Sequence, residues 1–312
     1  MLGNVLQVTA LVTLWAACGT IAAQSAAPGD FPLTEIAPGN FVHYGTIDER
    51  TAANLGDNAN VGFIVGTRCV AVIDAGGSRA VGDALRGAIR RVTPLPVCYV
   101  VLTHVHPDHF FGASAFALDE PAFITHENYP GQIAARARNY LNSLTRDLGN
   151  AAAGSEIVKP TLLVKVELVL DLGGRQVTVN AWPPAHTDDD LTVFDPATRT
   201  LWLSDLLFVD HTPVIDGTIT GFLSAMRQLR RLEVKHYVPG HGKSSLNWPA
   251  VLDAQERYFT LILNETRGAL RARKSLQIAT EEVGFSEAPN WALFDLFHRR
   301  NVTSAYTELE WE

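Results

Sequence analysis

Positive charge is in short supply. Lys and Arg total 25 against 33 Asp and Glu, a net charge of −8, which argues against nucleic acid or an anionic membrane as the main partner. There is no internal repeat and no low-complexity tract. No Ser-His-Asp arrangement or Cys-His elbow is legible, so a side-chain nucleophile has no support. The Gly-rich stretch Asp74-Ala75-Gly76-Gly77-Ser78 lacks the glycine spacing of a dinucleotide fingerprint. No Lys or Arg clamp is legible that would point to a phosphate, thiol or lactam substrate. What is present, 47% hydrophobic and 19% charged residues in 312, is the composition of an ordinary globular protein, large enough for one sizeable domain with an appendage.

No apolar run is long enough to span a bilayer comfortably. The one candidate, Val5 to Ala17, is uncharged and is followed by the small residues Ala22 to Ala27. That is the pattern of a secretory signal cleaved near Ala23 or Ala27, although no Lys or Arg precedes it. Residues 1–27 are therefore set aside from the fold, and the chain is expected to be exported. Leu14 to Cys18 is a poor lipobox, with Trp15 where a small aliphatic residue belongs, so anchoring through Cys18 is the lesser expectation. Cys69 and Cys98 remain, each five residues before a motif residue, Asp74 and Thr103. They stand on strands expected to be neighbours. A disulfide and two buried free thiols both stay open, since directly paired strands rarely offer good disulfide geometry.

The body is expected over 28–248, with a C-terminal helical and aromatic tail, 249–312, packed on the same domain. Strands are expected at Phe41 to Tyr44, Val61 to Val65, Cys69 to Asp74 and Val97 to Leu102, with a helix over Ala80 to Arg91, which makes a βαβ unit. Gly112 to Phe116 reads as a short helix, Ala122 to His126 as a strand and Gly131 to Leu148 as a helix. Strands follow at Leu168 to Leu172, Gln176 to Trp182, Leu191 to Phe194, Thr200 to Leu203 and His236 to Val238. Helices are expected at Leu223 to Leu232 and Pro249 to Ala272.

The chemistry concentrates in His104-Val105-His106-Pro107-Asp108-His109, directly after a β-branched and aromatic strand. Residues two apart at a strand end point the same way, so His104 and His106 can share a metal. Pro107 breaks the strand, and Asp108 and His109 open the next helix. Neutral imidazoles with a carboxylate are the ligand set of zinc and its borderline neighbours. His186, Asp205 and His241 stand at three further strand ends beside small or turn-forming residues.

In that order these seven residues resemble the metallo-β-lactamase superfamily, from about residue 40 to 245. The resemblance implies an α+β fold, a four-layer αβ/βα sandwich with a C-terminal helical extension, and a dinuclear site along one edge. It implies that His104, His106 and His186 hold one metal, that Asp108, His109 and His241 hold the other, and that Asp205 bridges them. Asp74 matches the aspartate that orients a ligand histidine. Asp188, Asp189 and Asp190 themselves read as a turn cluster around His186, with Asp190 expected to hydrogen-bond inward. Asp205, where lactamases of the main zinc class carry cysteine, points to hydrolases of the glyoxalase II kind. Two zinc ions per chain are expected, with iron or manganese as alternates, and Asp108 as the residue that takes up and returns the proton.

Longer stretches resemble the SoxH-related quinoprotein relay system zinc metallohydrolases: Leu201 to Phe208, Pro213 to Gly217, Val238 to Gly242 and Leu309 to Glu312. The branch implies a periplasmic setting, a small-molecule substrate and a quinoprotein dehydrogenase system as partner. Ser204 departs from the usual glycine before the bridging aspartate, a change expected to leave ligation intact. His211 is a candidate for the pocket wall, His126 for a structural or rim place, and His43, His236 and His298 for surface or packing. A mononuclear iron enzyme resembling persulfide dioxygenases, and a metal-binding accessory protein without activity, are the competing readings.

Overall fold

The computed structural model describes residues 31–312, so the apolar run, the expected cleavage region and Cys18 lie outside the described residues. From Phe31 the chain forms β1 (Thr34–Ala37), β2 (Asn40–His43), β3 (Val61–Val65), β4 (Val70–Ile73), α1 (Arg79–Val92), β5 (Val97–Val101), α2 (Pro107–Phe110), β6 (Ala122–His126) and α3 (Tyr129–Leu148). The second half holds β7 (Leu162–Val164), β8 (Glu167–Asp171), β9 (Gln176–Ala181), β10 (Leu191–Asp195), β11 (Thr200–Phe208), α4 (Ile219–Leu229), β12 (His236–His241), α5 (Asp253–Arg271), α6 (Leu276–Glu282) and α7 (Phe294–Leu309).

Strands β1 to β7 form one sheet in chain order, antiparallel through β4 and parallel from β4 to β7. The other sheet runs β12-β11-β10-β9-β8. Strand alternation sorts the first sheet's side chains. Ile64, Ala71, Ile73 and Val101 meet Val179, Val193 and Trp202 of the second sheet. Their neighbours Phe63, Val70, Val72 and Val100 turn outward onto α1 and α3 through Leu85, Ile89 and Leu144. Leu201, Leu203 and Leu207 on the far face of the second sheet are covered by α4, α5 and α7. The result is the four-layer αβ/βα sandwich with a C-terminal helical region that the sequence leads one to expect.

Several boundaries differ from the sequence expectation for local reasons. Edge strands β1 and β7 are four and three residues long, too short to print an alternation. Thr218 starts α4 earlier than expected: its side chain accepts from the Gly221 amide at 3.1 Å. A 3-10 turn, Ala250–Leu252, precedes α5, and Phe111–Asp119 is 3-10 in its entirety. β12 continues through His241.

Cys69 and Cys98 are joined in a disulfide with Cα atoms 5.7 Å apart. The β4–β5 register explains how paired strands achieve it. Val70 faces Val97 but Ala71 faces Tyr99, so Cys98 bulges out of the ladder beside Cys69. Helix α7 is stitched to the loop before α4. Asn301 Oδ1 accepts from Ile215 N (3.0 Å), Ser304 Oγ donates to Ile215 O (2.9 Å), and Glu308 accepts from Ile219 N (2.7 Å). Among the described residues no helix is long and apolar enough to cross a membrane.

Candidate metal centre

The centre lies at the end of the sandwich where β5, β11 and β12 finish. His106 caps α2, and Pro107 occupies its first turn, where a missing N–H costs nothing. His104 and His106 thus leave from the strand end while Asp108 and His109 leave from the first turn of the helix. His186 comes from the loop after β9, Asp205 from within β11, and His241 from the last residue of β12. Gly240 is required: a Cβ there would lie 1.9 Å from Asp205 Oδ1.

All seven expected ligands meet in two groups, His104, His106, His186 and Asp205 in one and Asp108, His109 and His241 in the other. Asp205 touches both. Its Oδ2 lies 3.2 Å from His186 Nε2, 3.5 Å from His241 Nε2 and 3.7 Å from His104 Nε2, and its Oδ1 lies 3.1 Å from His109 Nε2.

Each imidazole is held from behind. His109 Nδ1 donates to Asp74 Oδ2 (2.8 Å), His186 Nδ1 to the Val214 carbonyl (2.8 Å), and His241 Nδ1 to the Asn58 carbonyl (2.8 Å). His106 uses its other nitrogen, Nε2 donating to Asp216 Oδ2 at 2.7 Å. His104 Nδ1 meets Thr103 Oγ1 at 3.0 Å, and that hydroxyl donates to Asp74 Oδ2 at 2.8 Å. Carbonyls and carboxylates only accept, so the outer nitrogens carry the protons and the inner ones present lone pairs.

This fits a cation and little else. His186 Nε2 and His106 Nδ1 face each other at 2.8 Å. His104 Nε2, His109 Nε2 and Asp205 Oδ1 are buried with no hydrogen bond. Lone pairs packed this closely repel unless a positive ion sits among them.

The electrostatics agree. Burial alone would raise Asp205, but His109, His241, His104 and His186 hold it well below the ordinary carboxylate range. Burial presses His104 well down and His186 down to about 4, keeping both neutral, the form that ligates. Burial also opposes His109 and His241, yet Asp205 lifts both above the ordinary imidazole value, so their inner nitrogens draw positive charge, which a cation would supply in place of a proton. Asp108, against burial, is held low by His109 and His241.

Asp74 anchors more than His109: it also accepts from Thr103 N (2.9 Å) and Ser204 Oγ (3.0 Å). Ser204 has φ of +47°, the left-handed region where glycine sits without strain, which accounts for the usual glycine. Asp190 does turn inward, but onto Thr187 N (3.0 Å) and not onto a ligand imidazole, so it closes the turn after His186. His211 lines the cleft, its ring tilted against that of His241 with centroids 4.7 Å apart, outside both ligand groups. His126 Nδ1 accepts from Asn128 N in a turn, and His43 and His298 are packing residues, tied to Asp57 and to the Val283 carbonyl.

Sequence reasoning misses Asp216, Asn58 and the rim. Asp216 carries no motif of its own; the stretch Pro213 to Gly217 was its only signal. The cleft beside the ligands has a volume of about 420 Å³, and arginines 50, 146 and 300 reach its wall from three distant segments.

No curated protein matches the sequence. Among solved structures, the stereoselective inverting sec-alkylsulfatase Pisa1 from Pseudomonas sp. aligns with a TM-score of 0.67 at 15% identity, over 89% of this chain and 50% of that one. The chain thus spans about half the length of that sulfatase. A metallo-beta-lactamase from Pontibacter korlensis aligns with a TM-score of 0.58 at 16% identity, over 74% of this chain and 99% of its own. TMB-1 gives 0.57 at 18%, over 73% and 96%. At these identities the likeness concerns the fold. The sequence pattern of the metallo-beta-lactamase superfamily matches residues 55–241, more than half of the chain and all seven ligand-type residues, and the protein belongs to that superfamily.

Proposed function

We propose that the protein is an exported hydrolase that holds two zinc ions and directs water onto an ester, thioester or amide-type bond of a small molecule. The observation that carries this reading is the position of Asp205, within 3.1–3.7 Å of four imidazole nitrogens drawn from both ligand groups. A carboxylate so placed suits a pair of metals, and imidazole with carboxylate suits zinc, with iron or manganese as alternates.

His104, His106 and His186 would hold one ion, Asp108, His109 and His241 the other, with Asp205 between. When bound, such ions lower the pKa of water toward neutrality and act as Lewis acids on the scissile bond. The protein supplies the rest. Asp108 is 19% exposed and lies at the cleft, its Oδ2 3.5 Å from His241 Nε2 and 3.4 Å from Asn58 Nδ2. Held in its ionised form, it is placed to take a proton from water and return it to the leaving group. Phe208, Val214 and Phe297 give the cleft an apolar side that excludes bulk water.

The Cys69–Cys98 disulfide supports an oxidising compartment, in keeping with the signal-like start. A periplasmic place beside a quinoprotein dehydrogenase, as the SoxH-related branch implies, completes the reading.

The test is a substrate panel on protein stripped by chelation and reloaded with zinc. The panel holds an aryl ester, a thioester, a lactam and a secondary alkyl sulfate, the last because the sulfatase match covers most of the chain. Zinc-dependent turnover of at least one is expected. One iron per chain with oxygen consumption, or metal binding with no turnover on any of them, would contradict it.

A further inference from the structure

We propose that the substrate carries an anionic group, and that Arg50 and Arg146 receive it at the mouth of the cleft. This rests on the hydrolase reading and names the class of molecule that the site accepts.

Arg50 stands on the loop between β2 and β3, and Arg146 in the last turn of α3; both line the cleft. They share one counter-ion. Arg50 Nη2 donates to Asp147 Oδ2 at 2.8 Å and Arg146 Nε to Asp147 Oδ1 at 2.7 Å. Two guanidiniums against one carboxylate, with both of its oxygens used, leave one positive charge over. Arg300 does not add to it, since its charge is matched by Asp216.

The surplus charge is held in place. Arg50 Nη2 also donates to Ser143 Oγ at 2.9 Å, pinning the side chain along α3. Its Nε is buried with no acceptor, and its side chain is 12% exposed, so the guanidinium is only partly satisfied by the protein. Arg146 is 75% exposed, with the rest of its donor fork open. Planar forks of this kind recognise carboxylate, sulfonate or sulfate in pairs of hydrogen bonds.

The loop that carries Arg50 is tied by its own hydrogen bonds and is continuous with the reaction centre. Asn54 Oδ1 accepts from Thr51 N (2.9 Å) and Gly56 N (3.0 Å), and its Nδ2 donates to the Glu49 carbonyl (2.8 Å). Four residues on, Asn58 holds His241 from behind and reaches Asp108. An anion held at Arg50 is therefore registered against the ligands by a short, hydrogen-bonded piece of chain. Asp48 and Glu49 also line the mouth, exposed, and oppose this charge, so recognition rests on the directed donor forks of Arg50 and Arg146 and not on net charge. Asp48 accepts from the Glu49 amide at 2.8 Å. The apolar side of the cleft takes the rest of the molecule, so the class is a small organic acid bearing a hydrolysable bond.

The experiment compares phenyl acetate with para-acetoxybenzoate on the zinc-loaded protein, each rate scaled to its hydrolysis in alkali. The readout is the ratio of kcat/KM, anionic over neutral. In Arg50→Gln and in Arg146→Gln it falls about tenfold, the worth of one charged hydrogen bond. In Asp147→Asn, which frees both arginines, it rises. Arg146→Gln removes an exposed side chain with a single ion pair, so it keeps the test valid if Arg50→Gln does not fold. A ratio indifferent to Arg146→Gln, or lowered by Asp147→Asn, would overturn the proposal while leaving the hydrolase reading intact. If neither ester turns over, an ester is not the bond this site cleaves, and the fate of the hydrolase reading rests on the thioester, lactam and sulfate of the panel. Calorimetric titration with benzoate then decides: binding about tenfold weaker in Arg146→Gln supports the anion site, and equal binding overturns it.

Discussion

Two buried polar clusters tie one sheet to the other, one at each end of the sandwich, and they are built in opposite ways. At the end away from the cleft, Asp195 of β10 accepts from Asn40 of β2 (2.9 Å), from Arg175 Nε (3.3 Å) and from Thr198. Arg175 goes on to the carbonyls of Val65 (2.8 Å) and Pro38 (2.9 Å). Burial would raise the Asp195 carboxyl, but Arg175, Thr198 and Asn40 together hold it below the ordinary value. At the cleft end, lone pairs face lone pairs, and three buried atoms of His104, His109 and Asp205 have no hydrogen bond. Both clusters are buried and charged. Only the second is incomplete by itself, and that incompleteness, not burial, marks it as functional.

The contrast can be broken by removing one member from each cluster. Asp195→Ala leaves Arg175 without its carboxylate and is expected to cost about 3–5 kcal/mol in urea denaturation, with metal content retained. A loss below about 1 kcal/mol would mean the satisfied cluster does not hold the sheets together. Asp216→Ala acts at the other end, freeing His106 from behind. About a 10–100-fold loss of metal affinity is expected in chelator competition, with little change in the unfolding of the metal-free protein. An unchanged affinity would show that the back-side hydrogen bond does not orient His106.

pH sharpens the same comparison. Asp195 has a depressed folded-state value, so its stabilisation is fully present above the unfolded carboxylate value, about pH 4, and is lost as pH falls through the folded one. Wild type should therefore lose its advantage over Asp195→Asn as pH is lowered below about 4, and a gap that widened there would contradict the assignment. The smallest effect is at Ser204, whose backbone lies at +47°. Ser204→Gly loses the hydroxyl but relieves the strain, so it should stay within about 0.5 kcal/mol of wild type. Ser204→Ala loses the hydroxyl and keeps the strain, and should be about 1 kcal/mol worse than glycine by thermal unfolding.

How much of this was legible depends on sequence distance. His104 to His109 fall within six residues and announce themselves. His241 ends β12 between two glycines and His186 lies in a loop, as expected, but Asp205 lies inside β11, which runs on to Phe208, and not at a strand end. The layers follow from strand alternation, which is why only the short edge strands β1 and β7 escaped. The cleft wall did not announce itself. Arg50, Arg146 and Arg300 are 96 and 154 residues apart along the chain and meet only because α3 and α7 flank the same opening. Asp216 was hidden for the same reason, since its partner His106 lies 110 residues earlier. The disulfide could not be read either way, because it depends on one bulged residue, Cys98, in a parallel ladder.

Elemental analysis of the purified protein, beside Asp205→Ala, tests the central claim most directly. About two zinc ions per chain, falling in the variant, is the result expected of a carboxylate shared between two ligand groups. One metal per chain, unchanged when Asp205 is removed, would contradict it.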